Sequence, residues 1–264
     1  MGVLRFEMKR AFKNRWLYLS TGIGSVIGVL DLLLFWNTYE TDGSVSLTQA
    51  WIGTNYQFAY NTLYYILLPI IASMPYAGSC FTDIHSGYDK NILIKVSRGA
   101  YIKAKLLAVF TSAFVAVVTP LILDLFLAAG LYPDNKPERL SFMVAGIIDS
   151  QLFPKVYGTH PVLYSLLFTM IDGMFGGLLG IMSVCICKWI NSYFTAIMIP
   201  FVIYVTGGEL LAKNYDGTWS LMLMINPVQS GNITYLYQLA LLYSVMMVLC
   251  LITVYLNWKR RDVL

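Results

Sequence analysis

Charge is what this chain has least of. Asp, Glu, Lys and Arg together make up only 12% of 264 residues, while 58% are hydrophobic and the mean hydropathy is +0.64. That excludes the polar coat a water-soluble domain needs. The net charge of +4 is modest, and no nucleic-acid partner is expected. Histidine is nearly missing, with two residues, His85 and His160, expected on opposite sides of a membrane. No H-E-x-x-H, no G-x-S-x-G and no clustered His and carboxylate set occurs, so the residues offer neither a metal centre nor an intramembrane hydrolase. A phosphate loop of the form G-x-x-x-x-G-K-[ST] is absent as well, and the chain is expected to be no enzyme and to carry no catalytic residue, metal or cofactor of its own. Cys80, Cys185, Cys187 and Cys250 fall within or at the ends of apolar runs, where a disulfide framework has no place and packing is the expected role.

What is present is length without interruption. Six apolar runs are long enough to cross about 30 Å of hydrocarbon, namely Leu17 to Trp36, Phe58 to Phe81, Ile102 to Leu131, Pro161 to Cys187, Tyr193 to Leu211 and Tyr235 to Trp258. The fifth is interrupted by Pro200, Gly207 and Gly208. Basic residues divide between alternate connections. Arg5, Lys9, Arg10, Lys13 and Arg15 precede the first run; Lys90, Lys95, Arg98, Lys103 and Lys105 lie between the second and third; Lys188 and then Lys259, Arg260 and Arg261 follow later. Only Lys136, Arg139, Lys155 and Lys213 fall on the other side, so the first set is expected to be cytoplasmic and both termini with it. The first run lacks a small-x-small cleavage pattern before Asn37 to Thr48 and reads as a retained span.

Residues 1–16 form the first expected unit. Leu4, Met8, Phe12 and Trp16 recur every fourth position beside a stripe of Arg5, Lys9 and Lys13, the pattern of an amphipathic helix lying on the cytoplasmic membrane surface. A six-helix membrane domain follows over 17–258, with outward loops at 37–57, 132–160 and 212–234, a cytoplasmic segment at 82–100 and a basic tail at 259–264. Leu140 to Ile148 is apolar enough for a short interfacial helix, and Asn232-Ile233-Thr234 matches a glycosylation acceptor.

Three carboxylates, Asp31, Asp124 and Asp172, sit within predicted spans, the first two in the outer third and the last nearer the middle. Ionisable groups at such depth face a bundle interior or a wet cavity. Two readings stand open: an acidic vestibule on the path of a cationic substrate such as a basic peptide, or interhelical hydrogen bonding with Ser, Thr or Tyr. In the fourth run Gly173 with Gly177, and Gly176 with Gly180, make two overlapping G-x-x-x-G spacings that permit close helix approach, to a helix of this chain or of a second copy. Pro69, Pro75, Pro120 and Pro200 predict kinks.

Between the second and third runs stands FTDIHSGYDKNILIKVSRGAYIKAKLLAVF, too polar before Tyr101 for lipid and expected to fold as a short helix. Asp83, Gly87, the stretch Lys90 to Val96 with Ile92 and Ile94, then Ser97, Arg98, Tyr101 and Lys105 resemble the coupling segment of the membrane subunit of ABC-2 type ABC transporters. The amphipathic N-terminal helix is similar to that family's elbow helix, and the six-span layout and the Asn226-Pro227 segment resemble it too. Gly87-Tyr88-Asp89 departs from it, because many relatives have Thr after the Gly. The resemblance implies an all-α, type V exporter-like permease in a plasma membrane, most simply a bacterial cytoplasmic membrane. It further implies a separate ABC ATPase subunit supplying Mg-ATP, a second permease copy as a homodimer or a paralogous heterodimer, and export of a substrate such as a peptide or antibiotic. An ion- or proton-coupled secondary carrier relaying through Asp31, Asp124 or Asp172 is the alternative, and a non-transporting immunity or sensor protein is a third reading.

Overall fold

The computed structural model describes residues 2–39, 45–55, 59–135, 152–186, 192–214, 219–227 and 234–259, and among these every regular element is a helix. In chain order they are α1 (Val3–Phe12), α2 (Arg15–Tyr39), α3 (Leu47–Ala50), α4 (Ala59–Ser73), α5 (Ser79–His85), α6 (Tyr88–Leu93), α7 (Arg98–Leu131), α8 (Pro154–Thr159), α9 (Pro161–Ile186), α10 (Tyr193–Asn214), α11 (Leu221–Ile225) and α12 (Leu236–Lys259). Five of them, α2, α7, α9, α10 and α12, are long and apolar enough to cross a bilayer. The chain is a multi-pass helical membrane protein.

The side chains of α2 show why lipid is the solvent. Leu19, Ile23, Val26, Leu30 and Leu33 recur at three- and four-residue spacing and stand exposed. The opposite stripe, Ser20, Gly24, Ile27, Gly28, Asp31 and Phe35, is buried. Small and polar residues inside with large apolar ones outside invert the water-soluble pattern and suit a medium as apolar as leucine.

The second predicted run is broken. α4 ends at Ser73 after 15 residues, about 22 Å of rise, and falls short of the hydrocarbon thickness by itself. Pro75 has no N–H to continue the ladder and disfavours helical backbone at Met74, so 74–78 turns before α5 begins. Asn14 donates from Nδ2 to the Pro75 carbonyl at 2.8 Å, satisfying an oxygen that the break frees. Pro69, Pro120 and Pro200 are carried inside their helices. The third run is longer than predicted: α7 starts at Arg98 and spans 34 residues, about 51 Å, so roughly 20 Å of it projects past a bilayer core.

α7 is the central post, packed against α9, α2, α1 and α4. The two glycine pairs of α9 find their partner within this chain. Gly173 lies against Val118 and Phe114, Gly177 against Phe110, Gly176 against Val117, and Gly180 against Ala113 and the Ala72 carbonyl of α4. The expected helix at Leu140 to Ile148, the charges Lys136, Arg139 and Lys188, Cys187, Asn232 of the glycosylation match and the tail beyond Lys259 lie outside the described residues. Cys80, Cys185 and Cys250 are buried free thiols, and the Cys185 Sγ donates to the Cys250 carbonyl at 3.6 Å, tying α9 to α12.

Candidate coupling site and buried carboxylates

At the end of the bundle where α1 enters, four charges close on one another. Glu7 is wholly buried on the face of α1 that meets α7, next to Ala11 one turn on. Lys105 of α7, itself 3% exposed, reaches both the Glu7 Oε2 at 3.2 Å and the Asp83 Oδ2 at 2.6 Å. Arg10 forks onto Asp83, with Nη2 at 2.8 Å from Oδ1 and Nη1 at 3.3 Å from Oδ2, and also meets Glu7 at 3.2 Å. Tyr76 donates its hydroxyl to Glu7 at 2.7 Å, and Tyr101 donates to Asp83 at 2.9 Å. Two carboxylates and two cations balance, and every acid oxygen has a donor. The arrangement joins α1, α5 and α7, elements far apart in sequence.

The resemblance picked out Asp83, Tyr101 and Lys105, and the structure brings these three into direct contact. Their setting is the interior: Asp83 faces the bundle, not outward. Glu7 and Arg10 were not singled out by the sequence reading. The available signal was a lone acid in an otherwise basic helix, three residues ahead of an arginine.

Burial alone would raise the Asp83 carboxyl, but the Arg10 hydrogen bond and the Lys105 charge outweigh it and hold the group below its ordinary range. A depressed folded-state value means this stabilisation is full above the unfolded carboxylate value, about 3.9, and is lost as pH falls through the lower folded value. Thermal melts in detergent are therefore expected to give the same Asp83-dependent stability at pH 5 and pH 8. The difference between wild type and Asp83→Asn should shrink only below about pH 4. A difference that varies between pH 5 and 8 would contradict this balance.

The rest of the predicted segment turns outward. Gly87 takes a left-handed conformation, φ +69, at the corner between α5 and α6, a backbone position costly for a residue with a side chain. α6 is the expected short helix, and Lys90 lies within it. Ile92 and Val96 are half-buried, whereas Ile94 is 83% exposed, the most exposed large apolar side chain described. Ser97 is the exposed N-cap of α7, and Arg98, half-buried, opens that helix.

The three aspartates within the bundle are at the other functional candidate. Asp31 and Asp124 grip the connection between α2 and α4. Asn55 donates to the Asp31 Oδ2 at 2.8 Å, and the Ile52 backbone N–H to the Asp124 Oδ2 at 2.7 Å. Trp51, fully buried, donates from its indole to the Leu121 carbonyl at 3.1 Å. Asn61 of α4 accepts from Asn226 at 2.8 Å and donates to the Ile52 carbonyl at 2.5 Å, extending the polar layer. Asp172 accepts from Tyr65 at 3.0 Å. All three are at most 2% exposed and are held by neutral donors, each through one oxygen. Of the expected Ser, Thr or Tyr partners, a tyrosine stands at Asp172, whereas at Asp31 and Asp124 the donors are an asparagine and a backbone N–H from the connection. Asp31→Asn keeps an acceptor for Asn55 and is expected to stay within about 1 kcal/mol of wild type. Asp31→Leu strands the Asn55 amide and should cost about 1–3 kcal/mol, read as a fall in melting temperature.

No family model matches this chain, and no curated protein or solved structure matches it.

Proposed function

We propose that this chain is the membrane subunit of an ATP-driven exporter of the ABC-2 type. Both termini lie in the cytoplasm, and α4 with the turn after it supplies a sixth crossing. The observation that carries this reading is the joint at Glu7, Arg10, Asp83 and Lys105. A polar segment that only connected two spans would need no buried ion network tying it to both the N-terminal helix and the projecting part of α7. Such a tie makes α1, α5 and the start of α7 one stiff lever. The lever ends in α6, with Ile94 outermost and Ser97 and Arg98 behind it. A separate ATPase docked on that end would move α7, and through the glycine contacts α9, when it closes on Mg-ATP. Access would change along the interface with a second permease copy, in a plasma membrane such as that of a bacterium.

The test is affinity purification from the native membrane with identification of co-purifying chains. A stoichiometric, vanadate-sensitive ATPase is expected, with its activity lost or uncoupled in Arg98→Glu while insertion is normal. Clean isolation without an ATPase, with transport that collapses when the proton gradient is removed, would replace this reading with the secondary carrier.

A further inference from the structure

α1 presents three different faces. Glu7 and Ala11 are buried against α7, and Leu4 stands exposed. Between these, Phe6, Lys9, Arg10 and Lys13, spaced at three, four and seven residues, line one side of a cleft of about 700 Å³. Tyr76, Ser79 and Thr82 from the turn and α5 form the facing wall, and Asn14 and Trp16 close the end where α2 begins.

Three cations border this cleft and no carboxylate does. Arg10 is balanced by Asp83 and Glu7, leaving Lys9 and Lys13, which make no ion pair among the described residues. Both are exposed. The cleft stands where the first spanning helix starts, so its open side meets the headgroup layer; Trp16 is of the amphipathic type that settles there, and Phe6 adds apolar surface beside it. A water-soluble anion would be served by the lysines alone. Two ammonium groups without an ion pair beside exposed Phe6 and half-buried Trp16 suit a phosphate that arrives attached to acyl chains.

We infer that the cleft between α1 and α5 binds the headgroup of an anionic phospholipid from the adjoining leaflet, with Lys9 and Lys13 on the phosphate and Phe6 and Trp16 beside the glycerol and upper chains. The bound lipid would brace α1 on the side next to its ion network, with which the cleft shares Arg10 and Tyr76. This site depends only on α1 lying at the membrane boundary and holds whether or not the chain serves an ATPase.

The experiment reconstitutes the full chain in phosphatidylcholine nanodiscs containing spin-labelled phosphatidylglycerol or spin-labelled phosphatidylcholine, and measures the motionally restricted fraction of each. Wild type is expected to prefer phosphatidylglycerol, and Lys9→Gln with Lys13→Gln to weaken that preference by up to roughly thirtyfold, at about 1 kcal/mol per lysine. Lys95→Gln with Lys103→Gln, two exposed lysines away from the cleft, removes the same charge and should leave the preference unchanged. Equal losses from both pairs would reduce the effect to general surface charge and overturn the site. Displacement of the lipid by millimolar inorganic phosphate would show a free-phosphate site and overturn the lipid assignment. Should the Lys9, Lys13 variant fail to fold, native mass spectrometry of delipidated wild type with each lipid added decides, and equal retention of both lipids would overturn the proposal.

Discussion

Lys105→Met is expected to cost about 3–5 kcal/mol and to lower the melting temperature in detergent by roughly 10 °C. Its side chain is 4% exposed and its ammonium is shared between Glu7 and Asp83, and methionine fills the volume without supplying a charge. The network then holds two carboxylates against Arg10 alone, and Glu7 is too deep for water to compensate. Arg10→Met should cost less, because its side chain is 30% exposed and water can reach what remains. Pairing Lys105→Met with Glu7→Gln restores neutrality and is expected to recover at least half of the loss. A double variant no more stable than Lys105→Met would show that packing, and not charge balance, governs this joint.

Gly180→Leu is the second large effect expected. A Cβ at this position would stand 2.9 Å from the Ala113 Cβ and 3.4 Å from the Ala72 carbonyl oxygen. The Ala113 Cβ has no rotamer by which to swing aside, so α9 must move away from α7, while Val109 at 3.3 Å and the Ala72 oxygen leave no free side for the added chain. Overpacking of this kind costs about 1–3 kcal/mol, and leucine, adding a whole branched chain, belongs at the top of that range or above it. Gly22→Leu is the control, since nothing lies within 4 Å of its Cβ position on the exposed side of α2. Melting temperatures that fall for Gly180→Leu and hold for Gly22→Leu bear the packing out. Equal tolerance at both positions would mean that α9 does not sit against α7 as described.

Much of this was legible in the sequence for a simple reason. Apolar runs of spanning length state the solvent directly, and five of the six marked runs contain a long apolar helix near the expected bounds. In the second run hydropathy sums over Met74, Pro75, Tyr76 and Ala77 as if one helix continued, whereas Pro75, marked as a kink, ends the hydrogen-bond ladder and the long helix stops at Ser73. The amphipathic pattern located α1 but not its docking. Leu4 remains exposed, whereas the buried side of the helix is marked by Glu7, because the energy at that position comes from Lys105, 98 residues away. Periodicity cannot see a partner at that separation. The same holds for Asp31 and Asp124, whose depth was readable but whose donors, Asn55 and the Ile52 N–H, come from a connection that reads as an ordinary polar loop. The glycine spacings gave the close approach, and only the fold identifies α7 and α4 as what approaches.

The central claim, that the α5–α6 end is the surface an ATPase works against, is tested most directly by a photo-crosslinking amino acid at Ile94, the exposed tip of that end. Irradiation of native membranes should link the chain to an ATPase subunit through position 94, and the yield should change when vanadate traps the motor. The same label at Tyr18, exposed on α2, should capture lipid alone. Crosslinks from position 94 to lipid or to nothing, in membranes where a co-purifying ATPase is captured from some other face, would contradict the account.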